Sequence, residues 1–79
     1  MVKTVNQLKP GEKGTVLLLG SSGALRRRII DMGITPGATI IMRKTAPLGD
    51  PIEINVRGYE LSIRKSEAQE IEVMVGEKK

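Results

Sequence analysis

The stretch Ile52-Glu53-Ile54-Asn55-Val56-Arg57-Gly58-Tyr59-Glu60-Leu61-Ser62-Ile63 decides the fold. Ile52, Ile54 and Val56 alternate with Glu53, Asn55 and Arg57, and Tyr59, Leu61 and Ile63 alternate with Glu60, Ser62 and Arg64. Successive side chains of a strand point to opposite faces, so each run reads as a strand with one face on a core and one in water. Arg57-Gly58 is a two-residue hairpin loop. With that loop, Val56 pairs with Tyr59, Ile54 with Leu61 and Ile52 with Ile63. Every apolar residue then meets an apolar residue on the same side of the sheet. A one-residue slip destroys the match. The same register turns Tyr59 toward the core.

Downstream of the hairpin, Ile71, Val73 and Val75 alternate with Glu72 and Met74 and read as a last strand. Ser66-Glu67-Ala68-Gln69 between them is a short helical turn capped by Ser66. Upstream, Thr39 to Lys44 is strand-like, after a turn at Pro36-Gly37. Ala24 to Met32 fits a helix with Leu25, Ile29 and Met32 on one face. Ser21 or Ser22 supplies its N-cap, and Gly33 stands where a helix stops in a left-handed cap. Gly14 to Leu19 alternates little, but its short length and flanking glycines favour a strand. Met1 to Lys13 is a lead-in in which Thr4 or Asn6 caps a short turn and Val5 and Leu8 pack inward.

Strand, helix, then four strands with short links gives an all-β class. Five short antiparallel strands must hide their edges, and closure into a small barrel does so. The expected fold is an SH3-like barrel of about five strands with one short α-helix after the first. An OB-fold is the alternative, but its helix falls between strands three and four. The 79 residues allow one domain, 1–79, with a core over about 4–75 and a charged tail at 76–79. There is no cysteine to reinforce so small a core. The longest apolar run, Val16 to Leu19, is far too short to span a bilayer, and no signal peptide is recognisable. A cytoplasmic protein with no direct membrane insertion is expected.

Several segments together resemble the FeoA family, the small cytosolic component of bacterial ferrous iron transport. They are Leu8-x-x-Gly11-x-x-Gly14-x-Val16, Gly33-Ile34-Thr35-Pro36-Gly37, and Ala46-Pro47-Leu48-Gly49-Asp50-Pro51. Arg57-Gly58-Tyr59, Leu61-Ser62-Ile63-Arg64 and Glu67-Ala68 before Ile71-Glu72-Val73 complete the set. The resemblance covers roughly Thr4 to Val75. It implies an SH3-like barrel, and a partner: FeoB, a membrane iron transporter with a cytosolic GTP-binding region.

The residues themselves supply little chemistry. Ferrous iron sites recruit histidine, carboxylate or thiolate; this chain has neither histidine nor cysteine, and its carboxylates are scattered. We expect no metal site, no cofactor and no catalytic residue. No phosphate-binding loop of the Gly-x-x-x-x-Gly-Lys-Ser/Thr kind exists. The glycine-rich Gly20-Ser21-Ser22-Gly23 reads as a strand-to-helix link. Partner contact is therefore assigned to Arg26, Arg27, Arg28, Leu48 and Asp50. Successive helical residues lie about 100° apart, so the three arginines cannot all face one partner. One is expected to lie along the barrel. The Ala46 to Pro51 loop is read first as a plain connection with Leu48 tucked over a barrel end, and second as a rigid loop presenting Leu48.

A net charge of +4, from 13 Lys plus Arg against 9 Asp plus Glu, raises one other reading: a basic module that grips nucleic acid through phosphates. Single-strand binders stack bases on several aromatic rings, and Tyr59 is alone. Nucleic acid is not the expected partner. Weak homo-oligomerisation through edge strands or helix faces is a further expectation.

Overall fold

The computed structural model describes residues 1–20 and 23–76. Six strands form one antiparallel sheet: β1 (Val2–Thr4), β2 (Lys13–Leu19), β3 (Thr39–Thr45), β4 (Ile52–Val56), β5 (Tyr59–Ile63) and β6 (Ile71–Met74). Their order is β1-β6-β2-β3-β4-β5. A 3₁₀ turn, Val5–Gln7, follows β1; helix α1 (Gly23–Asp31) follows β2, and helix α2 (Lys65–Ala68) follows β5.

The hairpin has the expected register: Val56 opposite Tyr59, Ile54 opposite Leu61, Ile52 opposite Ile63. Its turn holds Arg57 at φ 53° and Gly58 at φ 85°. Two positive φ values give the turn whose twist matches that of the flanking strands.

Inner side chains from five strands meet in one cluster. Val16 and Leu19 of β2, Ile40 and Met42 of β3, Ile52, Ile54 and Val56 of β4, Ile63 of β5, and Ile71 and Val73 of β6 are all buried. A twisted sheet whose inner faces share one core must curl around it, which is the barrel-like, mostly β architecture expected. Ile29 of α1 is fully buried, with Leu25 and Met32 packed beside it. The helix falls between β2 and β3, not where an OB-fold places it. Met32 still bonds back to Arg28, and Gly33 follows at φ 91°, as a left-handed cap requires.

Four expectations need correction. The lead-in contains a sixth strand: Val2–Thr4 pairs with β6 as Val2 opposite Met74 and Thr4 opposite Glu72. Three residues are too few to show alternation. The expected inward packing of Val5 and Leu8 does hold, and Thr4 stands at the N-cap of the 3₁₀ turn, its N–H donating to Gln7 Oε1 at 2.9 Å. Second, α2 is capped at Arg64, not Ser66. Arginine has no acceptor, so the cap is supplied from the other direction: Glu67 Oε1 accepts the Arg64 N–H at 2.9 Å. Third, Tyr59 does not face a core. It is 71% exposed, because β5 is the end strand of the sheet and Tyr59 begins it beside the turn, where no element covers it. Finally, Leu48 is not tucked over a barrel end; it is 95% exposed. The expected Ser21 or Ser22 cap lies outside the described residues.

Candidate partner-binding surfaces

The five residues singled out from sequence do not come together as one site. Arg26, Arg27 and Arg28 lie on α1. Leu48 and Asp50 lie in the connection between β3 and β4.

The arginine run divides. Arg28 Nε meets Glu67 Oε2 at 3.1 Å. Glu67 is only 4% exposed, and its other oxygen caps α2. One buried carboxylate thus joins the two helices, and a buried carboxylate needs such a partner. Arg28 is tied to α2 by this pair, while its side chain stays 63% exposed. Arg26 and Arg27, exposed like Arg28, line with Gly23 and Ile30 an open depression of about 270 Å³. Those four positions are spaced i, i+3, i+4, i+7, a single stripe of the helix.

The β3–β4 connection is anchored at its end and bare at its tip. Asp50 Oδ1 accepts the Lys65 N–H at 3.0 Å, fixing the loop to the start of α2. Gly49 and Ala46 close the tip with a 2.7 Å backbone bond. Asp50 is therefore an anchor, and Leu48 is the residue the loop presents.

Arg57 was not selected from sequence. Its Nε donates to the Gly33 carbonyl at 3.2 Å and its Nη2 to Thr35 Oγ1 at 3.0 Å. These bonds hold a non-glycine residue at positive φ, a conformation that costs about 1–2 kcal/mol unless its surroundings over-determine it. They also bring the Gly33–Gly37 segment and the Arg57-Gly58-Tyr59 segment into contact. An arginine in a two-residue turn that favours Asn-Gly is the signal that was available.

Electrostatics elsewhere are local. The Asn55 side-chain amide, with Arg43 beside it, holds the Glu60 carboxyl below the usual glutamate range. The Lys9 N–H, assisted by Lys3, does the same for Glu12. Among the described residues, no group of three or more His, Cys, Asp or Glu is placed to hold a metal ion. No helix there is long and apolar enough to cross a membrane. The exposure of Tyr59 removes its orientation as an argument against nucleic acid, but one ring is not a stacking platform.

The FeoA domain family model matches residues 3–75. The chain belongs to the FeoA family. It superposes on the FeoA-like protein of Clostridium acetobutylicum with a TM-score of 0.89 at 40% identity, covering 99% of this chain and 91% of that one. It also superposes on Stenotrophomonas maltophilia FeoA, described as a prokaryotic SH3 domain protein complexed with zinc. There the TM-score is 0.78 at 24% identity, over 90% of this chain and 88% of that one, a likeness of fold. The architecture is SH3-like. A fusion protein of Fe(2+) transport protein A with the Fe(2+) transporter FeoB, from Porphyromonas gingivalis, is 33% identical over 69 residues. That match takes in 87% of this chain, which spans only 8% of the fused relative.

Proposed function

We propose that this FeoA domain is an accessory protein of bacterial ferrous iron uptake that acts on the cytosolic side of the membrane. It binds the transporter FeoB and modulates it by contact, without catalysis and without a resident metal. One observation carries this reading: a relative of the same family has FeoA and FeoB in a single chain. Two domains joined covalently in one protein and made separately elsewhere are partners whose association the fusion makes intramolecular. The residue chemistry agrees. A chain with no histidine and no cysteine is poorly equipped to hold ferrous iron, and iron is the cargo of the partner. The test is co-purification with FeoB, full-length and as its cytosolic GTP-binding region, with and without nucleotide. The reading predicts association in at least one nucleotide state. No association in any state, including with full-length FeoB, contradicts it.

A further inference from the structure

Among the described residues, the outer face of the sheet across β1, β6 and β2 carries four exposed apolar side chains set among Thr4, Thr15 and Glu72. Val2 stands opposite Met74, and Met74 opposite Thr15, so these three form one row across the strands. Thr4, Glu72 and Leu18 form the next row. Between Val16 and Leu18 the pairing of β2 with β6 shifts, and such a bulge re-aims side chains. Both Leu17 and Leu18 consequently face solvent while Val16 and Leu19 on either side are buried. Val2 is 51% exposed, Leu18 48%, Leu17 39% and Met74 38%. Single exposed apolar residues are ordinary; four gathered at one three-stranded end of the sheet mark a contact surface.

The position of this face indicates what covers it. The amino group of Met1 donates to the Val75 carbonyl at 2.9 Å, and the Val75 N–H donates to the Met1 carbonyl at 2.8 Å. Both ends of the domain therefore lie side by side at the β1–β6 edge, adjoining Val2 and Met74. Any chain joined to the domain, at either end, leaves from this corner. In the fused relative the joined chain is FeoB. A chain joined at this corner is held beside this face, and tethering raises its effective concentration there.

We propose that the Val2, Leu17, Leu18 and Met74 face is the surface on which FeoB docks, through an apolar patch of its own. The proposal rests on the function proposed above. Thr15 and Thr4 stand at the ends of the two rows, and Glu72 stands between Thr4 and Leu18 on the central strand, so a partner must also meet one carboxylate.

The experiment uses the full 79-residue chain and titrates it against FeoB by calorimetry. Leu18→Lys and Met74→Lys place a charge on the face; at Leu18 the lysine stands opposite Glu72 and suits the strand. Ser62→Lys adds the same charge to the outer face of β5, opposite Glu53. Circular dichroism and thermal melting confirm the fold of each variant, and Leu18→Thr replaces any lysine variant that does not fold. The proposal predicts at least about a tenfold loss of affinity for Leu18→Lys and Met74→Lys, as for buried contacts at the centre of an interface, with Ser62→Lys binding as the wild type does. Wild-type binding that all variants share overturns the proposal and leaves the functional reading in place. Absence of binding by the wild type overturns both. Light scattering supplies the remaining outcome: a wild-type dimer that the two face variants convert to monomer, with FeoB binding intact, assigns the face to a second copy and overturns the proposal.

Discussion

Across β3, β4 and β5 the outer face of the sheet carries Arg43, Lys44, Glu53, Asn55 and Glu60 with Ile41 among them; across β1, β6 and β2 it carries Val2, Leu17, Leu18 and Met74 with Thr4, Thr15 and Glu72 among them. The first face is closed on itself: Arg43 and Asn55 both bond Glu60, and Lys44 stands opposite Glu53. On the second, the Met1 amino group approaches Met74 Sδ at 3.4 Å, and among the described residues no charged pair covers the leucines. The two ends share one core, so core packing does not require the difference. A sheet end with paired charges outside and Ile52, Ile54 and Val56 inside is complete as a monomer. A sheet end that bulges two leucines into water is not. The surface proposed for the partner is here the one that costs the domain solvation.

The comparison can be broken at the core. Ile54 is fully buried between Met42 and Leu61 on the neighbouring strands. Ile54→Ala removes its packing at a site that cannot collapse, and about 3 kcal/mol of stability should go with it. Denaturant unfolding measures this. A loss near zero means that the β3–β4–β5 end does not carry the core.

The β1–β6–β2 end is tested next by Gly14→Ala. A Cβ on Gly14 meets the branched side chain of Val73 at 2.8 and 2.9 Å and the Met74 carbonyl at 3.2 Å. Neither neighbour has a flexible end to move aside, so about 2 kcal/mol should be lost by overpacking. An unchanged melting curve would show that β2 and β6 are freer to separate than their pairing indicates.

A smaller effect is expected between the ends. Glu67→Ala strips the cap from α2 and leaves Arg28 unpaired, with a loss of about 1–2 kcal/mol. Glu67→Gln keeps the acceptor for the Arg64 N–H and should recover part of it. Equal losses in the two variants would assign the effect to the ion pair alone.

The polar face offers the mildest test, through pH. Glu60 titrates below the usual glutamate range because the charged form is favoured by Asn55 and then Arg43. Its folded value lies below its unfolded one, so its contribution is complete above the ordinary glutamate pKa of about 4.3 and is lost as pH falls through the depressed folded value. Carboxyl chemical shifts followed from pH 7 downward should give a low midpoint for Glu60, and Asn55→Ala should raise it. A midpoint that Asn55→Ala leaves in place removes the closed polar network from the comparison.

How much of this was legible follows the same division. The hairpin was readable to the residue, because alternation over Ile52 to Ile63 leaves one register. The helix was readable from Leu25, Ile29 and Met32 and the glycine after them. The β1 strand was not, since three residues carry no period. Tyr59 was misjudged because alternation reports which face a side chain takes, not whether anything lies over it. The pairing that sets Arg28 apart from Arg26 and Arg27 needed the position of Glu67, far along the chain. The docking face was hidden by the bulge: Val16 to Leu19 reads as a buried run, and only its pairing with β6 turns Leu17 and Leu18 outward.

The most direct test of the central claim is to map the contact on the wild-type protein. Backbone amide shifts of the isotopically labelled chain are recorded as unlabelled FeoB is added. The account predicts changes concentrated at Val2, Leu17, Leu18 and Met74, with Glu53, Asn55 and Glu60 unmoved. Changes concentrated instead on the β3–β4–β5 face, or around Leu48 and the Arg26–Arg27 stripe, would contradict it.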